Sequence, residues 1–346
     1  MKSDQSYRFS FGPWNISEGA DPFGPEVREP VPLVEKLDLY KSAGFDGVQF
    51  HDDDVVPDIA NLTANQALNK AKEVKIQLDD RGLEVEFVAP RMWFATETID
   101  GGFTANSAND RQYALDRHRG SIDIARTVGT KNVVLWLARE GSYIRESKDA
   151  KIANERILEG INRMLDHDPD IEVWIEPKPN EPTDLAYVPT AGHAVALAYA
   201  SAAPDRVKVL IESAHAILAG LDPSDEMAFS LAHGKLASVH LNDQNGLKYD
   251  QDKAFGSANL RAAFNQVRVL DENGYGGKGE FVGLDVKAMR TQPGHCVIDH
   301  LVNSRGTFLK LVGKVRSVDK GAVQTFIEAR DYEGLDALYL NHLMSG

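Results

Sequence analysis

Short apolar runs alternate along this chain with longer stretches that carry apolar residues at helical spacing, and polar loops join the two. Eight of the runs read as strands: residues 7–11, 47–50, 84–88, 132–137, 172–175, 207–211, 236–240 and 281–286. Between them, 32–43, 65–81, 111–128, 149–165, 191–201 and 257–273 have helical periodicity. Alternation of this kind predicts a parallel sheet with helical crossovers. Eight repetitions favour an α/β chain closed as a single (β/α)8 TIM barrel over an open doubly wound sheet, and such barrels routinely exceed the usual length of one domain. No Gly-x-Gly-x-x-Gly follows an early strand, so a dinucleotide fold has no support. Beyond about Asp299 the strand pattern stops and charged, mostly helical sequence continues to Gly346. The expected organisation is a catalytic barrel over 1–298. A closing helix and short C-terminal extension over 299–346 would follow, serving as an oligomer contact.

At 346 residues with 42% hydrophobic content, the chain can bury one large core. No stretch approaches the roughly 18 consecutive apolar residues of a membrane span. Met1–Ser10 is polar and lacks the apolar centre of a signal peptide. A single cysteine, Cys296, excludes an internal disulfide and suits a reducing compartment, so a cytoplasmic protein is expected. With 52 acidic against 38 basic residues, the formal charge of −14 would repel nucleic-acid phosphates over most of the surface. A solvated acidic surface explains such an excess, and so do carboxylates converging on bound cations; their positions decide.

Barrel enzymes place reacting groups at the C-terminal ends of the strands, where the βα loops share one rim. Metal-capable residues fall there. The second strand runs into His51-Asp52-Asp53-Asp54, and the fifth into Glu176-Pro177-Lys178-Pro179-Asn180-Glu181-Pro182. The sixth ends at Glu212 with His215 three residues on, the seventh at His240 ahead of Asp250-Gln251-Asp252, and the eighth carries Asp285 and Lys287. Singly, each has an ordinary explanation. A strand-end carboxylate commonly caps a helix, Asp250-x-Asp252 suits an Asx-rich turn, and His51 with its aspartates suits a solvated loop. The coincidence of five such segments is what raises the odds, because gathering like charges around one mouth costs heavily unless cations compensate. Hard divalent ions prefer carboxylate oxygens, and imidazole widens the choice from Mg²⁺ toward Mn²⁺ or Co²⁺. The seven candidates Glu176, Glu212, His215, His240, Asp250, Asp252 and Asp285 are too many for one ion and suit two, with Glu212 as the bridge. No cysteine lies near them, so thiolate zinc chemistry is not expected.

At these residues the sequence resembles the xylose isomerase family, in its shorter, actinobacterial-type branch, and the likeness runs through nearly the whole chain. It is carried by Phe11-Gly12-x-Trp14, Asp21-Pro22-Phe23-Gly24, His51-Asp52-Asp53-Asp54, Gly101-Gly102-Phe103-Thr104-Ala105-Asn106, Trp136 and Arg139-Glu140-Gly141. Two longer blocks are the most specific: Ile175-Glu176-Pro177-Lys178-Pro179-Asn180-Glu181-Pro182, and Asn242-x-Gln244-Asn245-Gly246-Leu247-Lys248-Tyr249-Asp250-Gln251-Asp252. The resemblance implies a (β/α)8 barrel, usually tetrameric, that interconverts an aldose of the D-xylose type and its 2-ketose. It implies ring opening followed by a metal-assisted hydride shift, with two divalent ions (Mn²⁺, Mg²⁺ or Co²⁺) per subunit. By position it assigns Glu176, Glu212 and Asp285 to the substrate-binding ion, and Glu212, His215, Asp250 and Asp252 to the catalytic one. His51, oriented by Asp54, would assist ring opening, and Lys178 would hydrogen-bond the O1 region. Trp14, Trp136 and Phe23 would wall the pocket, Phe23 typically from a neighbouring subunit.

Chemistry supports these assignments independently. Opening a hemiacetal needs a group that titrates near neutrality, two cations polarise adjacent oxygens, and indole faces cover a sugar's C–H surface. The chain also departs from the family. His240 stands where an aspartate ligand is typical; related rhamnose isomerases and ketose epimerases use histidine at that strand end. Losing that charge predicts weaker Mg²⁺ binding and a shift toward Mn²⁺ or Co²⁺. Ala89-Pro90-Arg91-Met92-Trp93 replaces the family's Thr-Thr-Asn-Leu-Phe run, so Arg91 and Trp93 would alter contacts to the distal hydroxyls. A shorter tail makes a dimer an alternative to the tetramer. The expected function is therefore a D-xylose-type aldose–ketose isomerase. Its rival is an isomerase, epimerase or lyase of the same barrel acting on a different or derivatised sugar, whose carboxylate could pair with Arg91. A non-catalytic sugar-binding relative is disfavoured by His51, Asp54 and Lys178, and a DNA-repair nuclease by the negative charge.

Overall fold

Alternate residues of a strand face opposite sides of its sheet, and in this chain both sides are buried. The computed structural model describes residues 7–21, 23–247 and 249–345. Pro22 and Lys248 of the motifs above lie outside the described residues, as do Met1–Ser6 and Gly346. The strands are β1 (Arg8–Phe11), β2 (Gly47–His51), β3 (Glu84–Ala89), β4 (Asn132–Trp136), β5 (Glu172–Glu176), β6 (Val207–Glu212), β7 (Leu236–Leu241) and β8 (Phe281–Leu284). Each pairs in parallel with its neighbours in sequence, and β1 pairs with β8 to close the ring. The fold is the single (β/α)8 barrel expected from the alternation.

One residue parity of each strand meets the helices. Val133 and Leu135, Val173 and Ile175, Val209 and Ile211, and Val239 and Leu241 join the large outer core. The other parity fills the barrel, where Phe87, Ala89, Val134, Trp174 and Leu210 form a separate cluster. Ser10, Gln49 and Ser238 all donate to the buried Glu86 carboxylate, tying β1, β2 and β7 to β3 across the interior. Counting two residues onward from the inward positions reaches His51, Trp136, Glu176, Glu212, His240 and Asp285. Strand periodicity therefore delivers these side chains to the C-terminal mouth.

The six expected helices are found at Leu33–Ser42, Ala64–Asp79, Ala108–Val128, Ala150–His167, Ala191–Ala200 and Leu260–Glu272. Their ends shift where caps intervene: Asp149 accepts from the amides of Lys151 and Ile152, and Asn259 from that of Ala262. On Ala150–His167 the buried Ala153, Ile157, Gly160, Ile161 and Met164 make one stripe. A Cβ at Gly160 would stand 2.6 Å from the Phe103 ring, so the close approach of that loop requires glycine. Two helices after β6, Ser213–Leu218 and Pro223–Ala232, were not expected. The first is too short to show a period, and Gly220 turns the chain between them at φ +75°. A short antiparallel pair, Gly141–Ser142 with Leu185–Ala186, was also unforeseen. β8 stops at Leu284, short of the expected 286, because Val286 gives its carbonyl to the Asn15 amide side chain instead of the sheet. Asp299–Ser317 completes the helical ring, with Phe308 edge-on to Tyr7 and Phe9. Lys320–Ala329 and Tyr332–Met344 follow it. No helix among the described residues is long and apolar enough to cross a membrane.

Candidate metal centre

All seven candidate ligands converge. Glu176 and Glu212 end their strands, His240 is one residue from the end of β7, and Asp285 follows β8 directly. His215 comes from the first turn of Ser213–Leu218, and Asp250 and Asp252 from the loop after β7. Three groupings each bring their ligand atoms within 4.8 Å of one another: Glu176, Glu212 and His215; Glu212, His240 and Asp285; and Glu212, Asp250 and Asp252. Glu212 belongs to all three. His240 Nδ1 is 3.1 Å from Glu176 Oε1, 3.6 Å from Glu212 Oε2 and 3.8 Å from Asp285 Oδ2. His215 Nε2 is 3.0 Å from Asp250 Oδ2 and 3.3 Å from Glu212 Oε1.

A surrounding layer aims these groups. Asn242 Nδ2 donates to Glu212 Oε1 at 2.9 Å, and Trp14 Nε1 to Asp285 Oδ1 at 2.8 Å. Lys178 Nζ donates to Asp250 Oδ2 at 2.9 Å, and Lys287 Nζ to Asp252 Oδ2 at 2.8 Å. Glu181 accepts from the backbone N–H of Asp250 at 2.9 Å. The sequence placed Glu181 and Lys287 on the rim and Asn242 in the block after β7 without giving any of them a role. The period-two count from His240 would have found Asn242, since positions 238, 240 and 242 share the inward parity.

The electrostatics call for a cation. Burial, reinforced by the charges of Asp250, Asp285, Glu176 and Asp252, pushes the Glu212 carboxyl far above its ordinary range. Burial and Asp250 do the same to Asp252, against the pull of Lys287. Burial opposes ionisation of Glu176 and of His240. Their mutual attraction is stronger, taking the carboxyl down to about 2 and the imidazole up to about 9. His215 Nδ1, His240 Nε2 and Asp250 Oδ1 are buried with no hydrogen-bond partner among the described residues. Carboxylates and imidazoles crowded in this way, with uncompensated buried donors and acceptors, fit a divalent ion.

The cluster opens into a cavity of about 780 Å³. Trp14 lies 4.4 Å from the His51 ring, Trp93 5.0 Å from His51, and Trp136 4.4 Å from Trp93, so three indoles and an imidazole make a continuous wall. Lys178 Nζ stands 4.9 Å from the Trp136 ring. His51 Nδ1 is 3.1 Å from Asp54 Oδ2. Burial opposes ionisation of Asp54, and its contacts with His51 and Arg91 outweigh it, holding the carboxyl below its ordinary range. Arg91 lines the cavity, but its guanidinium is already engaged: Nε donates to Asp53 at 2.7 Å and Nη2 to Asp54 at 3.2 Å. Phe23, which the resemblance places in a neighbouring subunit's pocket, is 88% exposed and forms no part of its own chain's cavity wall.

A closed barrel with a carboxylate–imidazole cluster at its C-terminal mouth defines a class of enzyme-like scaffold built for cation-assisted chemistry on a small ligand. The chain belongs to the xylose isomerase-like TIM barrel family, whose model matches residues 37–293. Solved structures share the fold. A D-tagatose 3-epimerase-like protein is 15% identical with a TM-score of 0.64, over 89% of this chain and 98% of its own. The 3-keto-D-glucoside 4-epimerase from E. coli is 16% identical with a TM-score of 0.60, over 86% of this chain and 100% of its own. A xylose isomerase domain protein from Alicyclobacillus acidocaldarius is 17% identical with a TM-score of 0.58, over 90% and 100%. At these identities the likeness speaks for the fold alone.

Proposed function

We propose that this chain is a metal-dependent sugar isomerase or epimerase acting on a monosaccharide, free or derivatised, other than D-xylose. The observation that carries this reading is the set of seven convergent ligands, Glu212 common to every grouping, beneath a wall of three indoles. Two divalent ions are assigned, one to Glu176, Glu212, His240 and Asp285, the other to Glu212, His215, Asp250 and Asp252. When bound, they act as Lewis acids on adjacent sugar oxygens and make the flanking C–H and O–H bonds more acidic. The chain's own groups do the rest. Trp14, Trp93 and Trp136 cover the apolar face of the sugar and exclude water, Lys178 donates to an oxygen that gains negative charge, and His51, in the same wall as the indoles, contacts a sugar oxygen. Epimerase names among the solved structures, and the replaced segment Ala89–Trp93, support a substrate other than D-xylose.

A D-xylose isomerase is the second reading, favoured by the presence of His215, Asp250, Asp252 and Lys178 in one cluster. Both readings include a cytoplasmic homo-oligomer, dimer or tetramer, in which the exposed Phe23 ring and the 299–346 segment meet a neighbouring subunit. The test is turnover by metal-stripped protein refilled with Mn²⁺, in heavy water. The panel comprises D-xylose, D-tagatose and other free ketoses, and a 3-keto-glucoside. Deuterium in the product marks proton transfer through a base, and its absence marks a hydride shift. Turnover of a ketose or keto-glycoside with D-xylose inert is expected. D-xylose as the best substrate would reinstate the second reading, and silence on all of them would overturn both.

A further inference from the structure

The pairing of His51 with Asp54 is not the only contact its ring makes. Arg91 Nη2 lies 2.8 Å from the same Nδ1, closer than Asp54 Oδ2 at 3.1 Å. The arginine has little freedom to leave. Its backbone N–H donates to Asp52, which is held by the Arg117 guanidinium and the Ser121 hydroxyl. Its side chain is bonded to Asp53 and Asp54 and lies 5.3 Å from the ring centres of both Trp93 and Phe94.

A guanidinium offers only donors and does not give up its proton at any ordinary pH. An imidazole nitrogen either carries a hydrogen or presents a lone pair, and whichever contact it makes fixes the other nitrogen. With a hydrogen on Nδ1, two N–H groups would face each other at 2.8 Å. With a bare Nδ1, Arg91 donates into the lone pair and the remaining conflict, with Asp54 Oδ2, is longer. That oxygen also receives the His51 backbone N–H at 2.9 Å, and the other carboxylate oxygen receives Arg91. The His51 backbone N–H and the Arg91 Nε and Nη2 donors then all have acceptors, and the hydrogen of the ring sits on Nε2.

We infer that Arg91 fixes His51 as the Nε2–H tautomer, so that the pocket is given a stationary hydrogen-bond donor where a ring-opening base would otherwise stand. Arg91 is a positioning residue acting through His51. The inference rests on the sugar-binding reading of the pocket and narrows it. A neutral imidazole with its hydrogen on Nε2 can polarise a carbonyl or hydroxyl oxygen, but it has no lone pair there to take a proton. The fitting substrate is a sugar whose carbonyl is already unmasked, as in an open-chain ketose or a ring bearing a keto group.

The experiment is a long-range ¹H–¹⁵N correlation spectrum of ¹⁵N-histidine-labelled protein loaded with diamagnetic Mg²⁺, recorded above the titration range of histidine. His51→Asn identifies the resonances. The expected pattern is a pyrrole-type Nε2 and a pyridine-type Nδ1 for His51. It should reverse in Arg91→Met and persist in Asp54→Asn. A pyrrole-type Nδ1 in the unsubstituted protein overturns the inference, whether or not any variant folds. An unchanged pattern in Arg91→Met removes Arg91 as the cause. The two readings fail separately: sugar turnover with a pyrrole-type Nδ1 overturns the tautomer alone. A pyrrole-type Nε2 in a protein silent on every sugar overturns the function alone.

Discussion

Replacing Glu212 by Gln keeps the volume of the side chain and its bond from Asn242, and removes one negative charge from the point where all three ligand groupings meet. Its consequences differ with and without metal. In chelated protein burial and the charges of Asp250, Asp285, Glu176 and Asp252 disfavour ionisation of Glu212, so Gln removes that cost and the variant melts at or above the temperature of the parent. In metal-loaded protein each ion loses a ligand. An ion present at a hundred times its Kd stabilises the folded chain by about 2.7 kcal/mol. An unfolding entropy of about 2.1 cal/mol/K per residue gives about 0.7 kcal/mol/K for 346 residues, and hence a rise of about 4 °C per ion.

Two ions should therefore raise the melting temperature by about 8 °C, and Glu212→Gln should reduce the rise to under about 2 °C. Asp252→Asn, which touches only one assigned ion, should keep about half of it. Scanning calorimetry with chelator and then with Mn²⁺, beside elemental analysis of metal per chain, reads both numbers. A Glu212→Gln protein that binds two ions and keeps the full rise refutes the bridge. One that loses a single ion while holding the other confines Glu212 to one site.

His240→Asp gives the Glu176, Glu212, His240 and Asp285 set a fourth carboxylate, so the ratio of Mg²⁺ to Mn²⁺ dissociation constants should fall by at least about tenfold in competition titrations; an unchanged ratio would detach His240 from metal selection. His118 and His300 are buried, and burial takes both imidazoles down to about 4. The unfolded chain therefore binds more protons between about pH 6.5 and pH 4, and stability present above that window is lost as pH falls through it, by up to about 3 kcal/mol per histidine. Urea denaturation across this range should show a shallower decline for His118→Gln than for the parent, and parallel curves would exclude His118 as a contributor.

How much of this was legible in the sequence differs from one part of the chain to another. The eight strands and six of the helices could be read because their periods are long and regular. The ligands at strand ends could be read because a carboxylate or imidazole stood one or two steps beyond an apolar run. Glu212, which the structure puts in all three groupings, could be singled out from its place between the two groups. What escaped was set by contacts between segments far apart in sequence. Trp14 was read as a wall, and nothing local shows that its indole N–H donates to Asp285, 271 positions away. Arg91 was read two ways, as a partner for a substrate carboxylate or as an arginine paired to a nearby acid, and the structure shows the second without the sequence having named the acids. Its engagement by Asp53, Asp54 and His51 depends on how the loop after β3 folds back over the end of β2.

The two halves of the rim answer to different constraints. From β5 to β8, four of the seven ligands are fixed by strand parity and cannot be moved without shifting a barrel strand. The segment after β3 is a loop and can accept a new residue, but a guanidinium lining the same cavity as a cation site would repel the ions it faces. Arg91 avoids this because Asp53 and Asp54 take its donors, and Asp52, anchored by Arg117, holds its backbone. The charge of the arginine is offset locally, so what it adds to the pocket is geometry: a fixed neighbour for His51 and a flat surface against Trp93 and Phe94. Recognition of the sugar can thus change at β2 and β3 without disturbing the electrostatic demand for metal at β5 to β8.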